Sequence, residues 1–202
     1  RPNKIKNPII LEIFKETPKE DFLPKEVEPF TYSDNDLTLM HNRGYLKNLH
    51  IAQLINAAEI KKDHKILHLG ALTGYVTCII ARLCSEVFAV ETENKFNLLL
   101  EKNIDKFNIN NVKIVKGSFK NGFKDESPFD RIIIDSPVKK VENSLIEQLS
   151  SKLGKLIIIK KKNNNLSKAI KITKSKNNLS EEYLFDVFSK YELYEEKKDF
   201  EF

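Results

Sequence analysis

Two cysteines are all that the chain of 202 residues holds, and no apolar run approaches the ~20 residues that span a bilayer. Cys78 and Cys84 fall in one expected helix, six residues apart, and so lie on different faces. They cannot easily bridge, and buried free thiols in a reducing cytoplasm are expected. A basic-then-apolar leader is missing too. The first residue is Arg1 rather than Met, so a few upstream residues are expected to be absent. His41, His50 and His64 lack metal-ligand spacing with one another or with the cysteines, and no metal is expected.

What is there suits one compact domain: 41% of residues are hydrophobic and 31% charged, enough for a sizeable core. The formal net charge is +5. Much of the excess lies between Lys139 and Lys176, including Lys160–Lys161–Lys162, whereas acidic residues dominate from Glu181 to Glu201. Biased base composition in a genome produces such Lys-, Asn- and Ile-rich chains, so nucleic-acid binding is not expected.

Two parts can be read along the chain, residues 1–60 and 61–202. The first is punctuated by Pro2, Pro8, Pro18, Pro24 and Pro29. It carries an amphipathic helix over Pro8–Glu16 and a second over Asn48–Ala58. From Lys65, short aliphatic strands alternate with helices. Strands are expected at Lys65–Leu69, Val87–Val90, Val112–Val115, Arg131–Ile134 and Lys155–Ile159, with helices at Thr73–Cys84, Lys95–Phe107 and Val141–Leu149. Nearly continuous aliphatic runs suit parallel strands buried on both faces. Ala169–Ser175 and Tyr183–Phe188 follow without a helix and read as an antiparallel edge hairpin. Turns are expected at Asn163–Asn165 and Asn177–Asn178. The fold class is therefore α/β: a Rossmann-like, doubly wound, mostly parallel sheet of about seven strands with an N-terminal helical extension.

In such sheets, ligands sit at the carboxyl ends of the strands near the topological switch point. The first strand runs into Gly70-Ala71-Leu72-Thr73-Gly74, where glycines let the backbone approach a nucleotide-like ligand. Glu91 closes the second strand ~20 residues on, where a carboxylate can accept both ribose hydroxyls; the competing role is a solvated strand-end acid. Asp135 closes the fourth strand and faces the same crevice, with capping of the next turn as its competing role.

These segments resemble the protein-L-isoaspartate O-methyltransferase family over nearly the whole length. Ile13 to Pro24 is similar to the opening signature, a helix leading to VPRE-x-FVP, and Tyr32 to Leu37 to the following AY-x-D-x-PL. Ile79–Leu83 with Glu86–Glu91 resembles AVLARL…G-x-V-x-x-VE. Asn111–Gly117 and Pro128–Ile133 resemble NV-x-VV-x-GD and PFDRI-I. The opening signature is not shared by methyltransferases in general.

The resemblance implies a class I, S-adenosylmethionine-dependent enzyme of the cytoplasm that methylates the isoaspartyl carboxylate of a damaged protein or peptide. It implies cofactor contacts from His68, Gly70, Ala71, Gly74, Glu91, Ser118 and Asp135, with Arg43 to Lys47, Tyr45 and Leu46 among them, facing the substrate. The chemistry needs no strong base, because a carboxylate is already ionised at neutral pH and the sulfonium is already activated. Rate comes from holding the reacting atoms in line.

The departures fall on functional positions. His68 replaces an acid, Leu72 replaces the middle glycine of the loop, and Ser118 stands where the family has Asp. Gly44-Tyr45-Leu46-Lys47-Asn48 replaces a hydroxyl-bearing Thr-Ile-Ser-Gln-Pro, and Arg43–Asn48 is closer to the RYLM-x-P of a related bacterial subgroup. Leu72 is expected to crowd the ligand, and His68 to be satisfied by backbone. The rival reading is a catalytically degenerate, methyltransferase-fold binding or scaffold module. An RNA-associated methyltransferase using Lys160–Lys162 ranks last.

Overall fold

The computed structural model describes residues 5–40, 42–163, 166–176 and 178–193. His41, Asn164, Asn165, Asn177 and the acidic tail beyond Leu193 lie outside them, and with them parts of both expected turns.

The N-terminal segment opens with α1 (Pro8–Glu16). The Asn7 side chain accepts a hydrogen bond from the Ile9 amide at 3.0 Å, and Pro8 needs no donor partner in the first turn. Ile10 and Ile13 supply its buried face. A 3-10 turn over Lys19–Phe22 then delivers Phe22, whose ring stacks on Phe107 at 4.8 Å and tilts against Tyr75 at 5.5 Å.

A hairpin that the sequence pattern does not announce follows: β1 (Leu37–Met40) pairs antiparallel with β2 (Arg43–Tyr45). Gly44 is required there, because a Cβ would stand 2.1 Å from the Leu37 carbonyl oxygen. Then comes α2 (Asn48–Ala58), burying Ile51, Leu54 and Ile55.

The core sheet takes the order β5-β4-β3-β6-β7-β8-β9. Its strands are β3 (Lys65–Leu69), β4 (Glu86–Glu91), β5 (Val112–Lys116), β6 (Arg131–Val138), β7 (Lys152–Lys161), β8 (Leu166–Ser175) and β9 (Asn178–Phe188). The first five are parallel, while β8 and β9 run antiparallel to their neighbours. Connections leave β3 toward β4 on one side, and β6 lies on the other. The switch point therefore falls between β3 and β6. Alternate residues of the aliphatic runs feed the two faces: Ile66, Val87, Ala89, Ile133 and Ile157 one side, and Leu67, Phe88, Ile132, Ile134 and Ile158 the other.

The boundaries differ from expectation for identifiable reasons. Instead of Thr73–Cys84, α3 covers Tyr75–Ala81, all seven residues buried; its Val, Thr and Ile content favours helix poorly. The next helix, α4 (Asn94–Lys106), is close to the expected span. In place of Val141–Leu149, α5 covers only Asn143–Glu147. Beyond it, the backbone of Gln148 and Ser150 hydrogen-bonds with Phe129 at 2.8 Å each, and Lys174 Nζ caps the Ile146, Glu147 and Leu149 carbonyls. The edge strands extend further than Ala169–Ser175 and Tyr183–Phe188, because ladder bonds continue through polar residues from Leu166↔Phe188 to Ser175↔Asn178.

Cys78 and Cys84 are buried and unbridged, and burial pushes both thiols up to about 12. The basic excess of the second half is extensively paired: Lys155 with Glu59 at 2.7 Å, Lys171 with Glu182 at 2.7 Å, Lys140 with Glu142 at 3.2 Å, and both Lys139 and Lys161 with Glu192. Among the described residues, no helix is long and apolar enough to cross a membrane, and no His/Cys/Asp/Glu group could hold a metal.

Candidate active site

The carboxyl ends of β3, β4 and β6 form one crevice, and the loop after β3 enters it as expected. Gly70 sits at φ +86°, and its amide donates to the Val90 carbonyl at 3.0 Å. Ala71 is buried beside it. Gly74, at φ +96°, caps the start of α3.

Leu72 behaves differently from the expectation. Its backbone keeps the left-handed conformation of a glycine position, at φ +51°, yet its side chain is 1% exposed and belongs to the aliphatic core. It turns inward and does not crowd a ligand. A left-handed leucine costs about 1–2 kcal/mol, while losing a buried leucine costs about 2–5 kcal/mol. Leu72→Gly is therefore expected to destabilise by about 1–3 kcal/mol, read by urea denaturation.

Glu91 is fully buried at the end of β4, and its carboxylate is saturated. Oε1 accepts from Arg43 Nη1 at 2.6 Å and from the Thr92 and Glu93 amides at 2.8 and 3.1 Å. Oε2 accepts from Arg43 Nη2 and from the Leu72 amide, each at 2.8 Å. Arg43 reaches it from β2, and the guanidinium lies 5.2 Å from the Phe96 ring and 5.3 Å from the Phe119 ring. The competing reading of Glu91 as a solvated acid fails. The ribose role would require oxygens that Arg43 and three backbone amides already hold.

A second element closes the crevice. After β9 the chain returns across the strand ends, fastened where the Leu193 amide donates to the Pro137 carbonyl at 2.8 Å and the Glu192 amide to the Asn42 carbonyl at 3.1 Å. The Glu192 carboxylate is held by Lys139 at 2.9 Å and Lys161 at 2.5 Å, which keep it below the usual carboxylate range against the opposing effect of burial. Leu193 covers Gly70: a Cβ there would stand 2.9 Å from Leu193 Cδ1 and 3.7 Å from Arg43 Nη2. Beyond Leu193, a cavity of about 330 Å³ remains, lined by Phe119, Ile134, Val138 and Leu145 with Lys120 at its rim. In this conformation the crevice does not fit S-adenosylmethionine.

The other expected positions fall as follows. His68 is fully buried, satisfied not by backbone but by side chains. Its Nε2 lies 3.2 Å from Asp135 Oδ1, and its Nδ1 lies 2.9 Å from Thr77 Oγ1. A neutral ring satisfies both, donating to the carboxylate and accepting from the hydroxyl. Asp135 is thus 5% exposed and tied to His68 across two neighbouring strands. Ser118 Oγ accepts from the Lys120 amide at 3.2 Å, shaping the turn after β5.

Tyr45 and Leu46 do not face a substrate; each is 1% exposed. Tyr45 Oη accepts from the Tyr75 amide at 3.1 Å and lies 2.9 Å from Thr73 Oγ1, which itself donates to the Phe22 carbonyl at 2.6 Å. Tyr45→Phe strands the Tyr75 amide in the interior, and a loss of about 1–3 kcal/mol is expected in thermal unfolding. Beneath this network Lys19 is buried: its Nζ donates to the Leu46 carbonyl at 3.0 Å and lies 5.5 Å from the Tyr45 and Tyr75 rings.

The sequence reading missed the filling of the crevice by Arg43, Phe96, Phe119 and Leu193. Arg43 was legible only as one end of the altered loop, and Leu193 carried no signal.

The protein-L-isoaspartate(D-aspartate) O-methyltransferase family model matches residues 1–188. A protein-L-isoaspartate O-methyltransferase of Protochlamydia amoebophila is 28% identical over 154 residues, covering 76% of this chain and 73% of its own length. One from Syntrophus aciditrophicus is 29% identical over 159 residues, covering 79% and 72%. Among solved structures, a protein-L-isoaspartate O-methyltransferase superposes with a TM-score of 0.80 at 23% identity, over 92% of this chain and 61% of that one. A SAM-dependent O-methyltransferase from Thermotoga maritima gives 0.53 at 16% identity, over 80% and 75%, a likeness of fold alone. With a family model that spans nearly all of its length and the sheet order and strand-end crevice described above, the chain belongs to the protein-L-isoaspartate(D-aspartate) O-methyltransferase family.

Proposed function

We propose that this chain is an S-adenosylmethionine-dependent O-methyltransferase acting on isoaspartyl carboxylates of protein or peptide substrates in the cytoplasm. The observation that carries this reading is the family match over residues 1–188, which includes the opening segment as well as the common core. The architecture supports it: a glycine-bearing turn after β3 and a carboxylate at the end of β4 border one crevice. Gly70, Ala71, Gly74 and Glu91 would line the cofactor side, with His68 and Asp135 bracing the loop from beneath and Ser118 shaping the far wall.

A second reading, a catalytically degenerate binding module, is favoured by one specific feature, the saturated Glu91 carboxylate. Methyl transfer from labelled S-adenosylmethionine to an isoaspartyl peptide, with its aspartyl isomer as control, separates the two. The enzyme reading expects label in the isoaspartyl peptide alone. No label in either supports the module.

A further inference from the structure

We propose that Arg43 and Leu193 act as an internal competitor for the cofactor crevice, so that ligand affinity is set by displacing this chain's own side chains. The proposal rests on the reading above that the crevice is the cofactor site, and deepens it.

A ligand nucleoside at a strand-end acid is held through hydrogen bonds from its ribose hydroxyls to the carboxylate. Arg43 supplies that interaction from within the chain. Its two Nη groups meet the two Glu91 oxygens in the fork geometry that makes bidentate pairs strong. Its flat guanidinium lies against two aromatic rings, Phe96 and Phe119, as a planar ligand group would. Leu193 completes the substitution by covering the face of Gly70, where the loop offers bare backbone. The charge, the ring contacts and the close backbone approach are thus all met before any ligand arrives.

The closed arrangement carries a flaw that makes it displaceable. Arg43 is 5% exposed, yet its Nε–H has no acceptor among the described residues. A buried donor left unpaired is costly. The strap is held by Tyr191, fully buried in the core with its hydroxyl 3.0 Å from Thr38 Oγ1, by Glu192 on Lys139 and Lys161, and by two backbone hydrogen bonds. Only the Leu193 end has to move, with Tyr191 staying in the core. The cavity beside Phe119 already adjoins Leu193, so withdrawal of that side chain joins it to the face of Gly70.

The test is calorimetric titration of the full chain with S-adenosylhomocysteine, for the wild type, Arg43→Ala, Leu193→Ala and the double variant. Internal competition predicts affinity at least tenfold tighter in each single variant than in the wild type, and tighter still in the double. Leu193→Ala leaves the Glu91 pair intact, so it reports even if Arg43→Ala folds poorly. Equal or tighter binding by the wild type overturns the proposal while leaving the enzyme reading standing. Absence of binding in all four proteins overturns both, because an opened crevice that still rejects the ligand is not a cofactor site.

Discussion

Arg43→Ala is expected to lower the stability of the fold by about 3–5 kcal/mol, the usual cost of removing one partner of a buried ion pair. Glu91 is fully buried, and without Arg43 its charge would keep only the Leu72, Thr92 and Glu93 amides as donors. Those three amides hold the loss toward the lower end. Urea denaturation of the two proteins measures it directly. Adding Glu91→Gln to Arg43→Ala should recover about 1–2 kcal/mol, since the two residues share one network and their effects are not additive. A loss below about 1 kcal/mol would mean that water reaches the pair and that it is worth no more than a surface bridge. The same substitution is expected to improve ligand binding. Loss of stability with gain of binding is the opposite of what removal of an ordinary cofactor contact gives, and is the signature of a crevice filled from within.

Lys19 gives the second large effect, and it depends on pH. Burial pushes its ammonium down from 10.5 to about 8, opposed by the charges of Asp36 and Asp135. Below pH 8 the group is charged in both folded and unfolded chains, and the folded state bears the full desolvation penalty. That lowering corresponds to about 3 kcal/mol. Between pH 8 and 10.5 the unfolded chain holds a proton that the folded chain has released, so this contribution to stability rises with pH. Lys19→Met removes the penalty at the loss of one hydrogen bond to the Leu46 carbonyl and two ring contacts. At pH 7 the variant is expected to be more stable by about 1–3 kcal/mol, and the gap should close as pH approaches 10. Thermal unfolding of both proteins across that range checks it. A gap that stays constant with pH would show that Lys19 is not desolvated.

The legible parts of the fold are those governed by short-range pattern. The largely aliphatic segments Lys65–Leu69, Val87–Val90 and Arg131–Ile134 read as strands covered on both faces, and they fall where expected. Asn7 and Pro8 fix the start of α1 by local hydrogen-bonding chemistry alone. Element ends decided by distant partners were not legible. Phe129 takes the backbone of Gln148 and Ser150 and so cuts α5 short, although the two segments lie some 20 residues apart.

The candidate site divides the same way. The positions of Gly70, Gly74 and Glu91 follow from strand order and spacing, because any chain that alternates these strands and helices brings a turn and an acid to one crevice. The sequence alone therefore determined the sheet, the crevice and, through its motifs, the family. Tertiary structure decided what occupies that crevice. Leu72 could only be read as a bulky residue on a ligand loop, since nothing local tells whether its side chain points to ligand or to core. Arg43 lies 48 residues from Glu91, and Leu193 lies 123 residues from Gly70. Contacts of that separation leave no periodicity and no spacing rule. They exist only once the hairpin and the returning strap have folded over the strand ends, which is why the loop is legible in the sequence and its closure is not.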